Sequence, residues 1–145
     1  MKLSTTIIKI LSAVIFLMML NTSCAPARRS IAVEDGWDLL GEQKADFVKD
    51  KDVVEVHSSY KFTAIRFKVE KHDVRLNELK VYFQNGDKLE PSLDDIITAD
   101  QYSREIELSQ DGKVVYKIEF KYRTPGNIFK GRANVLVFGK RYTGN

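Results

Sequence analysis

Cysteine is all but missing from this chain, with one in 145 residues, and histidine occurs only twice. One thiol cannot close an internal disulfide. His57 and His72, with fourteen residues between them, have no cysteine left to complete a zinc set of ordinary spacing. A strained serine of the G-x-S-x-G kind is absent, as are the P-loop and the dinucleotide fingerprint, which removes the usual signs of serine hydrolysis and of nucleotide binding. A membrane-spanning apolar run is lacking too: the stretch from Ile10 to Leu20 has eleven residues, and crossing a bilayer as a helix takes roughly 20.

What is present begins at that short stretch. Lys2 and Lys9 precede it, and the polar Asn21-Thr22-Ser23 ends it. A basic start, an apolar middle and a small-residue close form a cleavable export signal, read here as a signal helix over residues 1–23. The lone cysteine, Cys24, follows directly and stands where bacterial lipoproteins carry the residue that is acylated. Leu20-Asn21-Thr22-Ser23 resembles a lipobox, with Asn21 in a place that usually holds an aliphatic side chain. The competing site is cleavage after Ala27, since Ala25-Pro26-Ala27 has the A-x-A form. Lipidation at Cys24 explains the position of the only thiol. It implies an exported protein held to the envelope, an outer-membrane lipoprotein facing the periplasm.

Losing the signal removes Lys2 and Lys9 from 23 basic residues and none from the 20 acidic ones, so the formal charge falls from +3 to +1. The remaining charges are interleaved, as in Lys68, Glu70, Lys71 and Asp73, and form no basic stripe for nucleic acid. The mature 122 residues suit one domain, and at that size folding buries roughly two thirds of the surface of the unfolded chain. Residues 24–36 show no periodicity and read as a tether, leaving 37–145 as the domain.

From Trp37 onward the dominant period is two, the mark of half-buried strands. Thr63, Ile65, Phe67 and Val69 alternate with Ala64, Arg66, Lys68 and Glu70. Leu79, Val81 and Phe83 alternate with Lys80 and Tyr82 up to the turn Asn85-Gly86-Asp87. Ile106 and Leu108, the turn Gln110-Asp111-Gly112, and then Tyr116, Ile118, Phe120 and Tyr122 read as a second hairpin. After the loop Thr124-Pro125-Gly126-Asn127, residues 133–138 are apolar on both faces except for Asn134, as in a central strand covered on both sides. With segments at Trp37 to Leu40 and Val53 to Val56, the count predicts an all-β fold, an antiparallel β-sandwich of about seven to eight strands. Only Ser92 to Ala99 suggests a helical turn, with Ser92 as its cap.

The strand patterns also carry a likeness. Leu39-Leu40-Gly41, Val81-Tyr82-Phe83-Gln84-Asn85-Gly86, Arg104-Glu105-Ile106-Glu107-Leu108, and Tyr116 through Arg123 leading to Val135-Leu136-Val137-Phe138-Gly139 span nearly the whole domain. The chain resembles a family of small exported bacterial proteins known only as a domain of unknown function. The resemblance implies a β-sandwich, assigns no reaction and supplies no catalytic residues. The lipidated cysteine departs from family members with ordinary signals.

Side chains with chemical potential are few. Asp94, Asp95 and Asp100, or Glu105 and Glu107 on one strand side, could supply an acid and base pair for glycoside cleavage, which requires about 5 to 9.5 Å between carboxyls. Each also sits where a solvated strand or turn places acids. Calcium through the same aspartates lacks the graded spacing of a dedicated loop. Trp37, Tyr60, Tyr102 and Tyr142 fall near strand ends, where an aromatic can stack on a ligand while Arg104 donates hydrogen bonds, although core packing is the competing use of each. The expectation is a non-catalytic binding or assembly module of the cell envelope without cofactor, bound to the membrane by its lipid, with a structural or assembly role toward an envelope protein as its first version. A glycan-binding module is the alternative, and an Asp/Glu-dependent hydrolase the alternative of another class.

Overall fold

The computed structural model describes residues 31–45, 51–123 and 132–144. The signal segment, Cys24 and the loop Thr124-Pro125-Gly126-Asn127 lie outside them. The compact unit that holds the strands runs from Val33. Its described residues contain strands and no helix: β1 (Trp37–Lys44), β2 (Lys51–Glu55), β3 (Lys61–Glu70), β4 (Val74–Phe83), β5 (Lys88–Leu89), β6 (Ser92–Ile97), β7 (Ile106–Glu107), β8 (Lys113–Arg123) and β9 (Asn134–Arg141). The fold is all-β, with nine strands where the periodicity counted seven or eight. The short β5 and β7, of two residues each, are below what an alternating pattern can reveal.

The strands form one antiparallel sheet in the order β1-β9-β3-β8-β4-β5, with β2 added to β8, β6 to β4 and β7 to β3. β3 and β8 pair only at Lys61 with Val114 and Phe62 with Lys113. Past that corner they separate, and the sheet curls so that the leaf β1-β9-β3-β7 faces the leaf β2-β8-β4 with its partners β5 and β6. On the side away from the corner, the Gln43 side-chain amide donates to the Val53 carbonyl at 2.8 Å. There β1 comes so near β2 that a Cβ on Gly41 would lie 2.5 Å from Val54 Cγ1, which requires glycine.

The period of two places the core correctly over most of its length. Ile65, Phe67 and Val69 of β3 meet Leu79 and Val81 of β4, Ile118, Phe120 and Tyr122 of β8, and Val135 and Val137 of β9 in one buried cluster. Phe67 and Phe120 join the leaves edge to face, with ring centroids 5.4 Å apart. Each large apolar side chain buried there contributes about 1.5–3 kcal/mol against solvent exposure. β9 lies between β1 and β3 and is buried on both faces, as its two-sided apolar pattern predicts.

The departures have local causes. Bulges reset the alternation at two strand ends. On β3 the register moves between Phe62 and Ala64, so Phe62 is buried in place of Thr63. On β8, Tyr82 pairs with Lys117 and Phe83 with Val115, leaving Tyr116 as the extra residue. Tyr116 is accordingly 44% exposed, and Val115 takes the core position. Ser92 to Ala99 is not a helical turn, because Leu93 and Ile97 are drawn into the core as β6 pairs with β4.

The first hairpin forms as read, with Gly86 at φ +90° and the Asn85 side chain accepting from the Asp87 amide at 3.0 Å. The second does not. The turn before Gly112 closes through the Gly112 amide and the Ser109 carbonyl, but β7 pairs with β3, and the turn carries the chain from one leaf to the other. A turn signal gives a reversal and does not choose the partner strand.

The shifted register on β8 is directly testable. Val115→Asp should destabilise the domain by several kcal/mol, since it buries an unpaired carboxylate. Tyr116→Ser should stay within about 1 kcal/mol. Urea denaturation of both variants measures the difference, and equal losses would refute the bulge.

Candidate functional site

β9 has a second apolar face that needs a cover. Val135 and Val137 point into the core, so Leu136 and Phe138 face the other way, and neither is exposed. The Tyr102 ring meets Phe138 edge to face at 5.7 Å. Arg66 of β3, opposite Phe138 in register, lies between Trp37 and Tyr102, its guanidinium carbon 4.0 Å from each ring centroid. A planar guanidinium stacked on two rings combines cation–π attraction with apolar cover. Arg66 is only 9% exposed.

The surrounding backbone positions each member. An isolated antiparallel bridge holds Tyr102 beside Lys68, while the Ser103 amide donates to the Phe67 carbonyl at 2.7 Å and the Ser103 hydroxyl accepts from the Phe67 amide at 2.9 Å. Glu34 is set by a turn in which the Trp37 amide donates to its carbonyl at 3.0 Å, with Gly36 at φ +80°. Arg66 Nη2 donates to Glu34 Oε2 at 2.6 Å, and Arg66 Nε is buried with no acceptor among the described residues. The Lys68 and Lys140 ammonium groups stand 5.3 Å from the Tyr102 ring and 5.7 Å from the Trp37 ring, and Lys140 pairs with Glu105 at 3.1 Å.

A second surface lies at the end of the domain where β1 begins and β9 ends. Arg141 grips Asp38 through both Nε and Nη2, at 2.6–3.0 Å, and stacks on Tyr60 at 4.4 Å. A groove of about 280 Å³ opens there, with His57 and Ser58 on its rim and Leu40, Val56 and Phe62 in its lining. Tyr60 is 54% exposed.

The four ligand-binding candidates therefore divide. Trp37 and Tyr102 converge, but on Arg66, with Trp37 nearly buried. Tyr60 belongs to the end groove, and Arg104 donates Nε to Asp95 at 2.8 Å. Tyr142 stands apart, with the Lys61 ammonium 6.0 Å from its ring. His57 lies in the connection after β2 and His72 in the turn after β3. No group of three His, Cys, Asp or Glu side chains suited to a metal ion occurs among the described residues. Arg66, Glu34 and the Asp38–Arg141 fork escape a strand-by-strand reading, because alternation assigns Arg66 to solvent and Glu34 to the tether. The clue lay in β9, whose second apolar face implied a cover.

The acids named for hydrolysis are mostly held by cations. Asp94 pairs with Arg75 at 3.0 Å, Asp95 with Arg104 and Glu105 with Lys140. Asp100 occupies a turn at φ +63°. The carboxylate most strongly shifted from its ordinary pKa is Glu119 on the outer face of β8, beside Lys51 at 2.8 Å, Lys117 at 3.0 Å and the Tyr82 hydroxyl at 3.2 Å. The hydrogen bond from Lys51, aided by Lys117 and Tyr82, lowers it to about 2. A general acid needs the opposite shift.

Residues 11–139 match the family described as a domain of unknown function, DUF2541. The chain belongs to the DUF2541 family. No curated protein sequence matches it. Among solved structures, this DUF2541 chain is similar to AlgX of Pseudomonas aeruginosa at 9% identity and a TM-score of 0.46, over 73% of this chain and 27% of that one. It thus spans about a quarter of AlgX.

The depressed Glu119 gives the DUF2541 domain a defined acid response. Its carboxyl titrates near 4.5 unfolded and near 2 folded, so the stability it contributes is complete above about pH 4.5 and is lost as pH falls through 2. Glu119→Gln should therefore differ most from the parent above pH 4.5 and converge with it near pH 2. Denaturation midpoints across that range measure the gap, and a constant gap would exclude Glu119 as its source.

Proposed function

We propose that this protein is a non-catalytic binding module for an envelope protein, held at the outer membrane by acylation of Cys24. The disposition of the aromatic candidates carries the binding reading. Among the described residues they do not line one groove together. Instead Trp37, Arg66 and Tyr102 form one rigid cluster beside β9, and Tyr60 with Arg141 forms another at the domain end. Tryptophan, tyrosine and arginine are the side chains that most often dominate protein–protein contacts. The ion-paired acids support a role without catalysis. Tyr60, exposed above its groove, favours glycan binding as the second reading.

The anchor reading rests on the sequence: an apolar stretch too short to span, Ser23 before the only cysteine, and a polar segment after it. One acyl chain holds a protein only marginally, whereas two or three hold it firmly.

Cys24→Ser should abolish metabolic palmitate labelling and move the protein from the membrane pellet to the soluble fraction. Persistent labelling, or a mature N-terminus at Arg28, would overturn the anchor. Affinity capture of the native protein from its envelope should return a specific protein partner that is lost on Tyr102→Ala. Retention on glycan beads that depends on Tyr60 would promote the second reading instead.

A further inference from the structure

We propose that Arg66 is a receptor for a carboxylate on an acidic peptide segment of the partner, and that Glu34 of this chain occupies it until the partner arrives. This deepens the binding reading and rests on it.

The first ground is the asymmetry of the Arg66–Glu34 pair. Arg66 is nine-tenths buried and fixed by two rings at 4.0 Å, whichever carboxylate it meets. The Glu34 side chain is 63% exposed, and its segment precedes β1 outside any ladder. A guanidinium withdrawn from water requires acceptors to offset its lost hydration. Nη2 has Glu34, and Nε has no partner among the described residues. The receptor half is built into the fold, and its present occupant meets it through one part-buried side-chain hydrogen bond, which the Glu34 side chain can give up while the backbone bonds of its turn, Trp37 amide to Glu34 carbonyl and Arg141 amide to Gly36 carbonyl, stay in place.

The second ground is what surrounds the pair. Lys68 stands over the Tyr102 ring and adds positive potential at the rim, while Lys140 over the Trp37 ring is already paired with Glu105. Next to Glu34 runs a groove of about 330 Å³ whose polar side is Glu34, Asp35 and the Asp38–Arg141 pair and whose apolar side, Val33, Trp37 and Leu39, has room for the apolar neighbour of an incoming acid. The occupant already in place is a peptide glutamate with an apolar residue before it and an acid after it, Val33-Glu34-Asp35. The chemistry that fits is therefore a peptide of that character. An internal occupant competes at an effective concentration of about millimolar, so the free receptor should bind much more strongly than the occupied one.

Trp37 is the only tryptophan and touches Arg66, so its fluorescence reports on the site. The probes are an end-blocked peptide of residues 31–36 and the same peptide with glutamine for its glutamate, both titrated into the full chain in detergent, and phosphatidylglycerol vesicles, titrated into the Cys24→Ser chain in buffer without detergent. Glu34→Gln should bind the acidic peptide at least tenfold more tightly than the parent chain does. The glutamine peptide should fail, and Arg66→Lys in the Glu34→Gln background should abolish binding. Equal affinity of parent and Glu34→Gln, equal binding of both peptides, or a response to vesicles alone would each overturn the proposal. Because Glu34 is exposed, its substitution decides the matter even if the Arg66 variant does not fold. The titration is made in solution, so its failure removes this receptor and leaves the palmitate and capture tests to judge the wider reading.

Discussion

β9 is the constraint on which the other parts depend. It lies between β1 and β3 with apolar side chains on both faces, and a strand of that kind excludes water only if something covers each side. The opposite leaf covers one side through Phe67, Phe120 and their neighbours. On the other side the described residues form no second sheet. Trp37 from β1, Tyr102 from the stretch between β6 and β7, and Arg66 from β3 lie there instead, with Tyr102 against Phe138. A cation is drawn into an apolar cover because its flat faces can be sheathed by rings while its edge still reaches an acid.

That arrangement explains how much could be read from the residues alone. Phe67, Val81 and Ile118 announce their burial by alternation, since side chains two apart share a face wherever pairing is regular, and Val137 by the two-sided apolar run it belongs to. Tyr116 and Thr63 mislead because an extra residue on one strand changes the phase, and nothing in composition marks the place. β6 misleads for another reason: the local preference of Ser92 and its aspartates for a cap is outweighed once Leu93 and Ile97 reach the core. β7 shows that a turn can be recognised while its pairing is not, because the choice of β3 is made by contacts distant in sequence.

The site was legible only in part, and for the same physical reason. Trp37 and Tyr102 are recognisable as aromatics near strand ends, but their meeting point is a residue that alternation assigns to water. Arg104, chosen as a donor for its place beside Tyr102, is turned to Asp95. Asp38 and Arg141, far apart in the chain, are brought together by the ladder between β1 and β9. Long-range pairs of charge leave no periodic trace, so they appear only once the sheet is assembled.

The position of the Asp38–Arg141 fork has a mechanical meaning. Any load transmitted from the N-terminal side that has passed the Glu34 and Gly36 contacts enters β1 at Trp37, its first residue. Such a load peels β1 from β9 starting at that end, straining the rungs in succession instead of sharing the force among them. The two-pronged grip of Arg141 on Asp38 spans the first of those rungs, beside Trp37 paired with Lys140. It acts as a rivet at the tip of the crack, where a tear would otherwise begin.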